Sequence, residues 1–186
     1  MRSRKPRNLT KFNFKSNLHQ LACKDSFRPD MGHIYFKDGY MWVTDAHILL
    51  KQSIDHSSII DPEHLEGKNI HHSIYRMIKG KFQYVTATSE GLSCKDLFGN
   101  KVMFSYSISS TPDFADNMKY VIPTGKPVEV NEIGMNLNII NRLRKGMVMS
   151  DMGCKFEFFG KNKAILVTAN GIENQTGLIM PVMIND

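Results

Sequence analysis

The sequence predicts an α+β protein in which short helices pack on antiparallel sheets. Three stretches carry apolar residues at helical spacing, and each is followed by runs that are typical of strands and end in turn residues. The hydrophobic content of 41% and the 11 Phe residues are sufficient for a packed core, which argues against a disordered chain. A strand–helix–strand unit therefore occurs three times, with little identity between the copies.

Charge and cysteine content narrow the class of protein. The 186 residues suit one domain, or one domain and part of another. The formal charge of +6 favours an acidic partner such as nucleic acid, although many basic domains with other functions share it. The 3 cysteines are widely separated and form no CxxC motif, which argues against a disulfide scaffold or a structural zinc site. Because we find no signal peptide and no apolar run of about 18 residues, we expect a soluble cytoplasmic protein.

The first unit follows a basic arm at residues 1–9, which is either a solvated terminus or a phosphate-contacting segment. "LTKFNF" predicts a strand, and Ser16 is the predicted N-cap of a helix over "NLHQLACK". The residues of this helix expected to face inward are Leu18, Leu21 and Ala22. Two strands around the Asp38-Gly39 turn are expected next, and the second includes "VTDAHILL", residues 43–50.

The second unit is built on the segment "KNIHHSIYRMIKG". It predicts a helix that Gly80 closes. The residues expected on its apolar face are Ile74, Met77 and Ile78. Strands follow between residues 82 and 108, with turns predicted at Glu90-Gly91 and Gly99-Asn100.

The third unit opens with "VNEIGM", which predicts a strand. Asn136 is the predicted cap of a helix that ends at Gly146. Its residues expected to face inward are Leu137, Ile140 and Leu143. Two further strands lie in "CKFEFFGKNKAILVTA" and "TGLIMPVMI". Lys161 and Lys163 flank an apolar run, which predicts an edge strand protected by charge.

The outer faces of the three predicted helices are basic. A solvated face usually mixes charges of both signs, so three basic faces indicate a surface that meets phosphates. The polar and basic residues expected on these faces are Lys15, Gln20, Lys24, Arg76, Lys79, Asn138, Asn141, Arg142 and Lys145.

Metal and catalytic sites are weakly supported. Asp45 and His47 would share one side of a strand, as two metal ligands could, but the sequence offers no obvious third ligand. No nucleophile motif, phosphate-binding glycine loop or dinucleotide fingerprint is present. We therefore expect no metal, no cofactor and no catalytic activity.

Four segments in order resemble the bacterial DNA sliding clamp, the DNA polymerase III beta subunit. They are "TDAHILL" (44–50), "TPDFADNMKYVIP" (111–123), "NEIGMNLNIINRL" (131–143) and "LIMPVMI" (178–184). The resemblance implies a DNA-clamp fold with residues 10–118 as a complete domain like the clamp's middle domain. Residues 119–186 would be half of a clamp domain, like the second half of the last one. No counterpart of the clamp's first domain is expected.

In the family, such segments line a groove that receives short peptides from polymerases and repair proteins. The residues that the resemblance places in this peptide-binding groove are Thr44, His47, Leu49, Pro123, Leu178, Met180, Pro181, Val182 and Met183. Asp45 is expected to brace the local backbone. Ala46 and Ile48 replace a glycine and an arginine of the family, and Met183 replaces another arginine. The alternative is that "TDAHILL" and "LIMPVMI" are simply adjacent core strands.

The resemblance also implies sequence-independent DNA binding through the helices. The residues concerned are Lys15, Lys24, Arg28, Arg76, Lys79, Arg142 and Lys145. The function implied is that of a sliding-clamp-like accessory protein of DNA replication, related to processivity factors. Its partners would be DNA and a DNA polymerase or other proteins with clamp-binding motifs, without a membrane. The alternative is a non-encircling regulatory or decoy protein that competes with a true clamp. We expect a monomer or weak dimer.

Overall fold

Ten strands form two antiparallel sheets in the part of the chain that the structure, a computed structural model, describes: residues 16–108, 111, 114–150 and 152–183. One sheet has seven strands in the order β4-β1-β2-β3-β10-β9-β8, and the other has three in the order β5-β6-β7. The strands are β1 His33–Lys37, β2 Tyr40–Thr44, β3 Ile48–Ser53, β4 Asn69–His71, β5 Tyr84–Ala87, β6 Gly91–Lys95, β7 Lys101–Ser105, β8 Cys154–Glu157, β9 Ile165–Ala169 and β10 Gln175–Ile179.

The helices are short, as predicted. The α-helices of the described residues are α1 His72–Lys81, α2 Phe114–Met118 and α3 Leu137–Gly146. Single 3₁₀ turns occur at Leu18–Gln20, Pro29–Gly32, Ile54–Ser57, Pro62–Leu65 and Lys119–Val121. The α+β class predicted from the sequence is therefore confirmed.

The seven-stranded sheet joins the first and third units directly. β3 pairs with β10, with Leu49 opposite Leu178. Because side chains alternate along a strand, the two faces of this sheet bury different cores. The face under α1 and α3 buries Phe36, Met41, Val43, Leu50 and Ile179 together with residues of those helices. The opposite face buries Tyr35, Trp42, Leu49 and Leu178 against Met118 and Phe114 of α2.

The 3₁₀ turn Leu18–Gln20 lies between α1 and α3. A side chain at Gly146, at the end of α3, would collide with Leu21. The amide of Asn17 donates to the Lys145 carbonyl at 3.0 Å. On the other side, the Tyr75 hydroxyl of α1 lies 3.3 Å from Ser16 Oγ. The three helical segments thus form one layer on one face of the sheet.

The stretch "VTDAHILL" is not a strand, contrary to the prediction. β2 ends at Thr44 and β3 begins at Ile48, so residues 45–47 form a turn and the first unit has three strands here. The polar side chains of Thr44 and Asp45 hydrogen-bond to backbone N–H groups of the turn. Such local bonds compete with the strand ladder and favour a turn.

The first predicted helix is reduced to one 3₁₀ turn. Ser16 is not its N-cap, because the Ser16 hydroxyl lies against Tyr75, and the residue at the cap position is Asn17. Leu18, Leu21 and Ala22 are buried, as expected. The chain turns away after Ala22, where Cys23 N–H donates to the Met31 carbonyl.

The limits of the other two helices agree closely with the sequence. α1 runs one residue past Gly80, and its buried residues are Tyr75 and Ile78, whereas Met77 is 43% exposed. α3 begins at the Asn136 cap, whose side chain accepts from Asn138 N–H at 2.9 Å, and it ends at Gly146.

Leu137 is exposed, contrary to the prediction. It occupies the first position of α3, whereas the fully buried residues of this helix, Leu143 and Gly146, lie in its later turns. Ile139, Ile140 and Leu143 fall on the same side of α3 and pack on the core.

The predicted hairpin turns are present. Asp38 and Gly39 both have positive φ, of 53° and 77°, as two-residue hairpin turns require. The β5–β6 connection is closed by bonds between Thr88 and Gly91. In the β6–β7 connection the Asp96 carboxylate accepts from Phe98 and Asn100 N–H.

Two predictions on the third unit are wrong. "VNEIGM" is not a strand, because only Gly134 makes a bridge, to Val182. The apolar run between Lys163 and Ala169 is not an edge either, since β9 pairs with both β8 and β10. The edge strand of the third unit is β8, on which Lys155 and Glu157 form an ion pair at 2.9 Å.

Candidate functional site

An apolar cavity of about 290 Å³ lies on the sheet face opposite α1 and α3. It opens between the β2–β3 turn, the ends of β3 and β10, and α2. No Asp, Glu, Lys or Arg side chain lines it. The lining residues are Met31, Thr44, Ala46, His47, Ile48, Leu49, Phe114, Asn117, Met118, Val121, Ala164, Leu178 and Met180.

Five of the nine predicted groove residues line this cavity, namely Thr44, His47, Leu49, Leu178 and Met180. Met180 is held there because its N–H donates to the His47 carbonyl at 2.9 Å. The chain then leaves the cavity, and Val182 N–H donates to the Gly134 carbonyl.

The structure does not bring the other four predicted residues into the cavity. Val182 and Met183 border a separate hollow of about 150 Å³ next to Glu132 and Lys161. Pro123 and Pro181 are absent from both linings, whereas Val121, two residues before Pro123, lines the cavity.

Sequence reasoning missed several lining residues. Phe114 and Met118 are four residues apart in α2, within the segment "TPDFADNMKYVIP", and this helical spacing could have revealed them. Met31 comes from the 3₁₀ turn Pro29–Gly32 and Ala164 from the residue before β9. No local pattern identifies these two, because tertiary packing alone brings them here.

The β2–β3 turn is held by the side chains of Thr44 and Asp45. Thr44 Oγ1 donates to the Ile48 carbonyl at 2.7 Å and accepts from Ala46 N–H at 3.1 Å. Asp45 Oδ1 accepts from the N–H groups of His47 at 3.0 Å and Ile48 at 2.9 Å. The prediction that Asp45 braces the backbone is confirmed.

The second oxygen of Asp45 faces the helix layer. Asp45 Oδ2 lies 2.7 Å from Arg142 Nη1 of α3, and Arg142 Nη2 donates to the Gln20 carbonyl at 3.2 Å. Arg142 was predicted to contact DNA, but it already holds two partners within the chain. Its side chain is 39% exposed, and that of Asp45 is 8% exposed.

A polar cleft of about 490 Å³ lies beside this ion pair on the helix side. Its lining residues are Gln20, Ala22, Cys23, Lys24, Asp25, Arg28, Asp45, His47 and Arg142. His47 therefore borders both the cleft and the apolar cavity. Lys24 and Arg28, both predicted to contact DNA, are exposed at the cleft.

The remaining predicted DNA contacts have different environments. Arg76 and Lys145 are exposed. Lys79 is half-buried, its ammonium donates to the Ser16 carbonyl at 3.0 Å, and burial lowers its pKa. Lys15 lies outside the described residues.

His19 lies in the helix layer, on the 3₁₀ turn Leu18–Gln20. Burial lowers the pKa of His19 to about 4, and Lys79, Arg76, His72 and Lys24 contribute to this lowering by repelling the imidazolium.

Solved structures of bacterial replication proteins share this architecture. The DNA polymerase sliding clamp from Pseudomonas aeruginosa superposes with a TM-score of 0.61 at 12% identity, covering 99% of this chain and 69% of that one. The sliding clamp from Bacillus subtilis gives a TM-score of 0.61 at 12% identity, covering 100% and 67%. This chain has the DNA sliding-clamp fold.

The clamp fold was predicted from four ordered motifs, and that prediction is confirmed. DNA polymerase III subunit beta from Borrelia burgdorferi, solved with a natural product, gives a TM-score of 0.61 at 11% identity. The chain spans about two thirds of the length of these clamps. No protein-family model and no curated protein matches the sequence.

Two further findings concern metals and membranes. Within the described ranges, no group of three His, Cys, Asp or Glu side chains is placed to hold a metal ion. None of the helices found there has the length and apolar character needed to cross a bilayer.

Proposed function

We propose that this clamp-fold chain is a replication accessory protein that binds a short peptide segment of a polymerase or another partner. The observation that carries the proposal is the uncharged cavity at the β3–β10 junction, where residues 10–118 would meet the half-domain of residues 119–186. The role is one of binding and not of catalysis.

The chemistry of the cavity suits an extended peptide with aliphatic and aromatic anchors. Methionines from three segments, Met31, Met118 and Met180, provide an adaptable lining. Its volume lies at the lower end of the range of about 300–1,000 Å³ that is usual for ligand pockets, which suits one or two anchoring side chains. Asn117 and His47 supply polar groups at the rim that orient the peptide backbone.

The second part of the proposal is DNA binding through the helix layer. Lys24, Arg28, Arg76 and Lys145 present exposed cations. Contacts to phosphates would be independent of the DNA sequence and would weaken steeply with salt. Each contact adds roughly 0.9 to the steepness with which the logarithm of the binding constant falls with the logarithm of the salt concentration.

One observation favours the alternative of a regulatory or decoy protein that keeps the groove without encircling DNA. Arg142 and Lys79, two of the expected DNA contacts, are engaged with Asp45, Gln20 and Ser16. The cationic surface left for phosphates is therefore smaller than the sequence predicts.

The assembly proposed is a monomer or weak dimer. Among the described strands, β4, β5, β7 and β8 lie at the ends of the sheets and each pair with one neighbouring strand. The Lys155–Glu157 pair on β8 places charge on an edge, which discourages pairing with another chain. Multi-angle light scattering that shows a stable tetramer at micromolar concentration would contradict this assignment and favour a ring.

Calorimetry with a peptide that carries Gln, Leu and Phe anchors tests the groove. Val121 lines the cavity and is 54% exposed, and Val128 is 48% exposed outside it. We expect micromolar affinity, about −8 kcal/mol, for the unmodified chain. Val121→Asp should abolish it, because it places a carboxylate in an apolar site, whereas Val128→Asp should not. Equal affinities in the two variants would exclude the cavity as the binding site.

A further inference from the structure

The β2–β3 turn is a shared wall between the two hollows of the molecule. Thr44, Ala46 and His47 border the apolar cavity. Asp45 and His47 border the polar cleft, together with Lys24, Asp25, Arg28 and Arg142. A change in this turn therefore alters both hollows.

The Asp45 carboxylate determines the shape of that turn. One oxygen receives two backbone N–H groups, from His47 and Ile48, and the other receives the Arg142 guanidinium. Since Asp45 is 8% exposed, its charge is stabilised mainly by these partners and not by water. Ala46 within the turn has φ of 75°, a conformation that an alanine keeps only when its neighbours impose it.

Arg142 is accessible from the cleft while it holds Asp45. The side chain is 39% exposed, and Lys24 and Arg28 lie on the same cleft. A phosphate group that enters this cleft would compete with Asp45 for the guanidinium, because arginine binds phosphate and carboxylate with the same planar donors.

We propose that a DNA phosphate bound in this cleft draws Arg142 from Asp45 and thereby weakens peptide binding in the cavity. The inference rests on the proposed function and adds its regulation. With its partner engaged elsewhere, the buried carboxylate holds the turn less firmly, and Thr44, Ala46 and His47 no longer form a fixed wall. By thermodynamic linkage, bound peptide weakens DNA binding by the same factor.

Fluorescence anisotropy of the labelled Gln–Leu–Phe peptide, with and without a short blunt DNA duplex, tests the coupling. We expect saturating duplex to weaken peptide binding about tenfold, within the usual range of coupling between sites. Arg142→Gln should weaken peptide binding to a similar extent without DNA, and duplex should then have no further effect. Arg144→Gln is the matched control, since Arg144 lies on the same helix, is exposed and bonds to Asn141 of that helix.

A second variant separates coupling from a general loss of stability. Asp45→Asn combined with Arg142→Gln keeps an oxygen for the His47 and Ile48 N–H groups and leaves no buried charge unpaired. This double variant should bind peptide nearly as tightly as the unmodified chain and should be insensitive to duplex. A merely structural role of the pair would not remove the response to DNA.

Each combination of binding results has a different meaning. If peptide and duplex each bind and neither changes the affinity for the other, the coupling is wrong and the proposed function stands. If peptide binds and duplex does not, the coupling is wrong and the decoy alternative is favoured. If the peptide does not bind at all, both the coupling and the proposed function are wrong.

Discussion

The two faces of the seven-stranded sheet differ in what they leave open. Under α1 and α3 the apolar side chains of the sheet are buried, and the cations of the helix layer are exposed to solvent. On the opposite face α2 covers only part of the apolar surface, and a cavity remains beside Leu49 and Leu178. Neighbouring residues of one strand thus serve different purposes. One face is closed by the helices, and the other leaves the apolar cavity that we propose as a peptide site.

Truncating adjacent leucines of β3 should give the largest contrast. Leu50 is fully buried toward the helices, whereas Leu49 borders the cavity. Leu50→Ala should lower the free energy of unfolding by about 2–5 kcal/mol, because the enclosed core cannot collapse around the gap. Leu49 is also buried, but part of its side chain already borders open space, so Leu49→Ala should cost less and should weaken peptide binding. Urea denaturation and calorimetry measure the two effects, and equal decreases in stability would contradict the assignment of faces.

Charge reversal on the helix layer should weaken DNA binding, whereas charge reversal on the cavity face of the sheet should not. Arg76→Glu with Lys145→Glu removes two exposed cations of the helix layer. The log–log salt slope should fall by roughly 0.9 for each phosphate that the variant no longer neutralises. Titration of a labelled duplex at several salt concentrations measures this slope.

The matched control for this charge reversal lies on the cavity face of the sheet. Lys51 extends from β3 over the Tyr40 ring at 3.9 Å. Lys51→Glu should leave the DNA affinity and the salt slope almost unchanged. If Lys51→Glu weakens DNA binding as much as the double reversal, the helix layer is not the DNA surface.

Acid should destabilise the helix layer through His19. The folded pKa of about 4 lies below the ordinary histidine value of 6.5, so the unfolded chain binds this proton more readily. Stability from this group is complete above pH 6.5 and is lost as the pH falls toward 4. His19→Gln should therefore reduce the fall in Tm between pH 7 and about 4.5.

Part of the decrease in Tm with falling pH should remain in His19→Gln, because His71 and His72 also have lowered pKa values. His64→Gln, an exposed control on the 3₁₀ turn Pro62–Leu65, should leave the slope in place. An unchanged slope in His19→Gln would mean that His19 is not held neutral by its surroundings.

Much of the fold was predictable because its signals are local. The Asn136 cap, the end of α3 at Gly146 and the Asp38-Gly39 turn depend on backbone chemistry within a few residues. The clamp fold was predicted from the order of the four motifs, because hydrophobic periodicity alone indicates only helices and strands. The length of the first helix was not predictable, because the chain reverses where Cys23 bonds to Met31.

The candidate site was predicted less completely, and the β2–β3 turn shows why. Alternation alone predicts a strand through "VTDAHILL", but the Asp45 carboxylate has two N–H groups within reach and ends it. That Arg142 supplies the third partner depends on packing between distant parts of the chain, and no local pattern contains it. The cavity likewise combines segments that lie far apart in the sequence.

Replacing Ala46 by glycine should have the smallest effect, and its sign tests whether the turn is strained. The φ of 75° lies in the left-handed region, which costs an L-residue with a Cβ roughly 1–2 kcal/mol. Glycine removes that cost but loses about 0.5–1 kcal/mol through the greater freedom of the unfolded chain. We therefore expect Ala46→Gly to raise the free energy of unfolding, measured by urea denaturation, by several tenths of a kcal/mol.

Ala115→Gly, in the helix α2, provides the same substitution without the strain and should lower the free energy of unfolding by about 0.5–1 kcal/mol. If both variants lose stability equally, the turn between the two faces stores no strain, and Asp45 holds a conformation that alanine adopts at no cost.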